Sequence, residues 1–197
     1  MWEKIFIFPE EPDFNVVPPL KLCHFPFANG SWRPFCHLSI SFVKNKGISC
    51  RFKPFEAEPK INKDDILGGN AFTVSLKNPE NDRYLKLTFS PDGTLLNAPE
   101  SKFTPTVSAA KKGEDQQGDY FLTGIFLPLS LLKEQLGIED IKEGSKLLFN
   151  AFYSIMENDK GYTPHFASLF DNSDKKNPLE RLSDPQNNSV ITAVEFY

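Results

Sequence analysis

Apolar and polar residues alternate with a period of two along much of the chain, the pattern of strands with one buried face and one open face. In HLSISFV (37–43), Leu38, Ile40 and Phe42 alternate with His37, Ser39 and Ser41. In ISCRFK (48–53), Ile48, Cys50 and Phe52 alternate with Ser49, Arg51 and Lys53. The turn sequence Lys44-Asn45-Lys46-Gly47 lies between them, so this stretch predicts a hairpin. AFTVSL (71–76) and YLKLTF (84–89) obey the same rule: Phe72, Val74, Leu76, Leu85, Leu87 and Phe89 point inward, and Tyr84, Lys86 and Thr88 point away. Pro91 and Gly93 give Ser90-Pro91-Asp92-Gly93 the chemistry of a turn, and 94–98 predicts the start of another strand. YFLTGIFLP (120–128) reads as a strand, followed by a short helix over 129–136 that Gly137 closes. KLLFNAFY (146–153) is apolar on both faces, which suits a central strand; Asn150 is its polar exception. EKIFIF (3–8) and VITAVEF (190–196) supply the first and last strands. The polar stretch 99–119 and residues 156–188 read as surface loops.

Residues 9–36 carry six prolines, too many for a central strand, and predict an irregular wrap pinned by Phe25, Phe27 and Trp32. About nine short strands with turns between them, and no repeated strand–helix–strand unit, give an all-β fold. The expected architecture is a two-sheet antiparallel β-sandwich of the jelly-roll or immunoglobulin-like kind, with one short helix. The chain reads as a single domain over 1–197, with 1–36 as the wrap and 37–197 as the body.

Composition sharpens this picture. Nineteen Phe and sixteen Pro against two Met reinforce the β assignment. A net charge of −4, from 22 basic and 26 acidic residues, argues against nucleic-acid binding, which needs a basic surplus. No apolar run reaches the roughly 18 residues of a membrane-spanning helix. The short apolar stretch at the N-terminus does not resemble a signal peptide. Three cysteines (Cys23, Cys36, Cys50) with no CxxC do not form a disulfide framework, and Cys50 shares the buried face of Ile48 and Phe52. Free thiols suit a reducing compartment.

Catalytic signatures are missing: there is no GxSxG, P-loop, GxGxxG or HExxH. The dipeptides Cys23-His24 and Cys36-His37 have the residue types of a zinc site, but neighbours on an extended segment point opposite ways. No cofactor follows from the residues. The acidic side chains sit mostly in predicted loops, without an evident pair for glycoside hydrolysis. Ligand binding asks for less: flat rings, an Arg fork and a few amides. Trp32, Arg51, Tyr84, Asn150, Tyr153, His165 and Phe166 supply these groups, with Tyr162 beside them. Each also has a purely structural role open to it, as a core ring or a loop-holding amide.

The residues 72–98, FTVSLKNPENDRYLKLTFSPDGTLLNA, resemble the family-nine-like carbohydrate-binding modules, which are related to the DOMON sandwiches. In those modules a strand of the type VEFFL leads to YYNFEFNPxGTLLxA. Three further blocks occur in the family's order: Glu58-Pro59; Ile125 to Leu132, similar to IPFSLL; and Phe149-Asn150-Ala151-Phe152-Tyr153 with Pro164-His165-Phe166-Ala167-Ser168, similar to NFYK…PHYxSW. Together they cover about residues 36–170. The resemblance implies a non-catalytic module that holds an oligo- or polysaccharide, with Trp32, Arg51, Asn150, Tyr153 and His165 meeting in one groove. It also implies a structural calcium as an option, and export from the cell. The alternatives are a protein-interaction sandwich whose sugar site has degenerated and, less favoured, a saccharide hydrolase. The chain departs from the pattern at Gly68-Gly69-Asn70, where acidic residues are common, at Leu169, where Trp is expected, and over 178–196. The family's Trp clamp would require Trp2 and Trp32 to meet.

Overall fold

The computed structural model describes residues 3–25, 35–62, 64, 68–157 and 163–195. Among the described residues there are eleven strands: β1 (Glu3–Phe8), β2 (Leu20–Leu22), β3 (Cys36–Val43), β4 (Gly47–Pro54), β5 (Ala71–Lys77), β6 (Tyr84–Phe89), β7 (Thr106–Asp115), β8 (Gly118–Pro128), β9 (Lys146–Glu157), β10 (Thr163–Ser168) and β11 (Ser189–Glu195). Helix α1 (Leu129–Leu136) follows β8, and a second helix, α2 (Pro178–Ser183), precedes β11.

Hydrogen bonding runs in the order β6-β5-β9-β11-β1-β3-β4-β8-β7, with β10 on β9 and β2 on β3. The path folds into two layers, because β1 pairs with β11 and with β3 and joins them. β6, β5, β9, β10 and β11 form one layer; β2, β3, β4, β8 and β7 form the other. Both β1 pairings are parallel, the exception in an otherwise antiparallel sandwich. Aromatic rings fill the space between the layers. Phe52 of β4 lies 4.9 Å from Phe72 of β5 and 5.8 Å from Phe89 of β6, and Phe72 lies 6.1 Å from Phe121 of β8. All four rings are fully buried. Rings at these separations add edge and offset-stacking attraction to the burial of their area.

The predicted hairpin pairs in register from Cys36↔Pro54 to Val43↔Gly47, and its turn takes Asn45 at φ 57°. Helix α1 has the predicted bounds. Gly137 ends it at φ 70°, with its N–H on Lys133 O (3.0 Å) and the Ile138 N–H on Leu132 O (3.3 Å), a left-handed cap that favours glycine. The Leu136 carbonyl is further satisfied by the side-chain amides of Asn78 (3.0 Å) and Asn81 (3.1 Å). β9 is central as expected, with β5 on one edge and β10 and β11 in succession on the other.

Four local expectations are corrected. Residues 106–115 are not loop but the edge strand β7, whose side chains are almost all open to solvent. Within 9–36, residues 20–22 form β2. Within 156–188 there are β10, α2 and a 3-10 turn (Pro185–Asn187). Residues 94–98 form no strand. A single bridge, Phe89↔Leu95, is made there, and the Asn97 side chain takes the place of a ladder by accepting from the Thr88 N–H (2.5 Å) and donating to Lys86 O (2.9 Å).

Candidate functional site

The outer face of the β3–β4–β8–β7 layer carries two adjoining recesses; a separate one of about 300 Å³, lined by Asn78, Ile138, Ile141 and Leu147, has no aromatic ring in its wall. In β4 the core row is Ile48, Cys50 and Phe52, so Ser49, Arg51 and Lys53 point away from the core. Register extends this face sideways: Ser39 lies beside Arg51 and His37 beside Lys53 on β3, while Phe126 lies beside Ser49 and Gly124 beside Arg51 on β8. Alternation along β8 puts Leu122 and Tyr120 on the same side, and β7 adds Ser108 and Lys111.

The proline-rich segment over 9–19 forms a wall across this face. Val17 anchors it at 4% exposure, and Phe14 and Glu11 project from it. Two recesses result, of about 400 and 190 Å³, which share Phe14, Arg51 and Leu122. The larger is bounded by Glu11, Ser49, Ser108, Lys111 and Thr123, and the smaller by His37, Ser39, Lys53 and Tyr120. The Arg51 guanidinium lies 5.3 Å from the centre of the Phe14 ring. The Lys53 ammonium stands 4.0 Å over the Tyr120 ring and 5.0 Å from that of Phe55, and is paired with Asp115. Cations over ring faces gain about 0.5–1 kcal/mol where exposed, so these contacts fix the rings at little expense to displace.

Tyr120 lies opposite Gly113 on β7, where a Cβ would come within 2.5 Å of the ring. Glycine there lets the phenol lie flat across the neighbouring strand. Beyond the smaller recess the aromatic surface continues: Phe35 and Phe55 stack at 5.0 Å, and His37 stands edge-on to both at 4.9 and 5.0 Å. Phe35 is 40% exposed. Burial and then the neighbouring charges of Lys21 and Lys53 depress the His37 pKa below its usual value, against a smaller opposing effect of Asp115, which keeps the imidazole neutral at neutral pH. Asp115 itself is held below the usual carboxylate range, chiefly by its hydrogen bond from Lys53.

The residues singled out from sequence occupy different settings. Arg51 belongs to the groove just described. Trp32, like Trp2 and Tyr162, lies outside the described residues. Tyr84 and Asn150 are on the outer face of the opposite layer, beneath residues 169–188. The Tyr84 hydroxyl accepts from Ser75 Oγ (3.1 Å), and burial raises its pKa. Asn150 is fully buried. Its amide donates to the carbonyls of Phe170 (3.0 Å) and Asn187, and its oxygen accepts from the N–H groups of Phe170 (3.1 Å) and Ala151 (2.8 Å). It fastens the 170–188 segment to β9. His165 and Phe166 are both 3% exposed within β10.

Tyr153 points into the core, stacked on Phe72 at 5.1 Å with a 15° interplanar angle. Its hydroxyl donates to Glu56 and accepts from the Asn70 amide, which also donates to the second Glu56 oxygen (3.3 Å). The backbone N–H of Lys60 donates to the side-chain oxygen Oδ1 of Asn70. This network ties the connection between β4 and β5 to the sandwich. Burial raises the Glu56 carboxyl pKa, against the hydrogen bonds from Tyr153 and Asn70. Burial, then the Glu56 charge, pushes the Tyr153 phenol well above its usual range.

Sequence reasoning missed Phe14, Lys53, Tyr120 and Lys111. Tyr120 carried a signal, because it alternates with Phe121 on the polar face of its strand. Phe14, inside a proline-rich run, carried none. Among the described residues no three His, Cys, Asp or Glu side chains converge as a metal site, so the calcium that the resemblance allows finds no carboxylate set there. Among them, too, no helix is long and apolar enough to cross a membrane.

No protein-family model matches the sequence, and a search of curated proteins finds no relative. Solved structures do match in shape. A family-nine carbohydrate-binding module from Caldicellulosiruptor kristjanssonii in complex with cellotriose superposes with a TM-score of 0.67 at 8% identity, over 100% of this chain and 95% of that one. A family-nine module from the same organism in complex with glucose gives 0.66 at 10% identity, over 100% and 97%. A Bacteroides uniformis protein to which carbohydrate binding has been ascribed gives 0.68 at 16% identity, over 98% and 99%. The chain therefore has the β-sandwich fold of the family-nine carbohydrate-binding modules.

Proposed function

We propose that the chain is a non-catalytic carbohydrate-binding module, and that the outer face of the β3–β4–β8–β7 layer holds the saccharide. The observation that carries this reading is the pair of adjoining recesses in which the Phe14 and Tyr120 rings flank Arg51 and the serines Ser39, Ser49 and Ser108. A pyranose presents an apolar C–H face and a rim of hydroxyls. The rings suit the first; Arg51, Glu11 and the serines suit the second. The two neighbours solved with cellotriose and glucose support the ligand class. Open recesses with few rings suit modest affinity, on the order of 4–8 kcal/mol, or about millimolar to micromolar dissociation constants.

A glycan array followed by calorimetric titration of the full chain tests the proposal. Phe14→Ala and Tyr120→Ala should each weaken binding by about tenfold, equivalent to roughly 1.4 kcal/mol, while the protein stays folded. Absence of binding across plant, microbial and host glycans would reject it.

A further inference from the structure

We infer that the groove selects an anionic glycan, one bearing uronate carboxylates or sulfate esters, over a neutral one. This inference rests on the saccharide-binding reading of the same groove.

The chain as a whole is acidic, at −4, yet cations are gathered on this face. Arg51 stands where the two recesses meet, and Lys111 borders the larger. Neither has an ion-pair partner among the described residues, whereas Lys53 is neutralised by Asp115 and Lys112 by Glu58. Lys112 pairs in register with the core residue Phe121 and so points to the other side of β7; of the cations on the open face, Lys53 is paired, while Arg51 and Lys111, the two that border the larger recess, are not. Glu11 lies on its wall, on the proline-rich segment, and is an acceptor for sugar hydroxyls.

Arg51 is half-buried in a strand, and its guanidinium lies near the Phe14 ring. A guanidinium so placed has lost part of its rotamer freedom and presents a fork that matches the two oxygens of a carboxylate or sulfate. Lys111, exposed on the edge strand β7, adds a second positive charge across the recess. A neutral oligosaccharide would satisfy the rings and hydroxyls of the groove but would leave Arg51 without a counter-charge. An acidic one satisfies both. The ring contacts then locate the sugar plane, and Arg51 sets the orientation of the charged substituent.

Calorimetric titration of the full chain with trigalacturonic acid, its methyl ester, a sulfated chondroitin oligosaccharide and cellotriose tests this. At about 0.02 M salt one or both acidic sugars should bind about tenfold tighter than the methyl ester and cellotriose, and the advantage should shrink at about 0.2 M salt as charges are screened. Arg51→Gln should weaken the acidic sugars at least about tenfold more than the neutral ones, and so remove the preference. Lys111→Gln, at an exposed edge position that tolerates change, should reduce it severalfold and provides the test should the Arg51 variant not fold. The two acidic arms separate a carboxylate ligand from a sulfated one. Equal affinity for trigalacturonate, its ester, the sulfated sugar and cellotriose would overturn the inference and leave the binding module intact. No binding of any saccharide would overturn both.

Discussion

Removing a single hydroxyl, in Tyr153→Phe, probes the network that holds the β4–β5 connection onto the sandwich. The ring would remain, stacked at 5.1 Å on Phe72, so burial and packing would hardly change. What would be lost is the donor to Glu56 and the acceptor for Asn70. A hydrogen bond to a charged group contributes about 1.5–3 kcal/mol, and one between neutral groups about 0.5–1.5. The loss should therefore follow the charge on Glu56. Burial raises that carboxyl above its ordinary value of 4.5, so the folded protein keeps the proton to higher pH than the unfolded chain does. The stability this contributes is complete below the unfolded value and declines as pH rises through the folded one. Without the Tyr153 hydroxyl the carboxylate loses a bond that favoured its charged form. Its pKa climbs further and the decline steepens.

The expected destabilisation is about 1 kcal/mol near pH 4 and about 2 kcal/mol near pH 8. The latter is a fall of roughly 4–8 °C in Tm for a chain of this length. Urea titrations and thermal melts of both proteins at the two pH values measure it. A difference that is constant with pH, or larger in acid, would refute the reasoning. Saccharide binding should survive the substitution, because the hydroxyl is on the inner side of the fold.

Phe52→Ala should cost about 3–5 kcal/mol in urea unfolding, because that ring bridges the two layers. Gly113→Val should displace Tyr120, whose ring a Cβ would approach to 2.5 Å, lowering saccharide affinity and costing about 1–3 kcal/mol of stability. Thiol titration of the native protein with a disulfide reagent should find one fast cysteine, Cys23, which is exposed. Cys36 and Cys50 are buried, with burial raising the Cys36 pKa well above its usual value and that of Cys50 to about 12, so they should react only on unfolding. Three fast thiols would mean that the sandwich opens readily.

The strands that could be read from the sequence are those whose side chains pay for their own burial. β3, β4, β5 and β6 alternate because one face of each is sealed between the layers, and α1 announces its end with Gly137. β7 left no such trace. TVSAAKKGED is open to solvent on both faces, and its main-chain ladder to β8 holds it in place; a ladder has no residue signature. The opposite error at 94–98 has a specific cause, since Asn97 bonds the edge of β6 with its side chain where a strand would have used its backbone. The site divides the same way. Arg51 could be found because it alternates with Cys50 and Phe52 on the open face of β4. Asn150 and Tyr153 look like ligand-gripping groups in a sequence, but their polar atoms are consumed within the fold, by Phe170 and Asn187 and by Glu56 and Asn70. Phe14 reaches the groove only through the path of the proline-rich segment, which depends on contacts distant in sequence.

Backbone amide shifts, followed by NMR while the tightest-binding oligosaccharide is added, report directly which face of the sandwich takes the ligand. Perturbations should concentrate at Phe14, along 49–53, 106–111 and 120–126. A pattern centred instead on 70–77, 150–155 and 163–168, with the outer strands silent, would contradict the account.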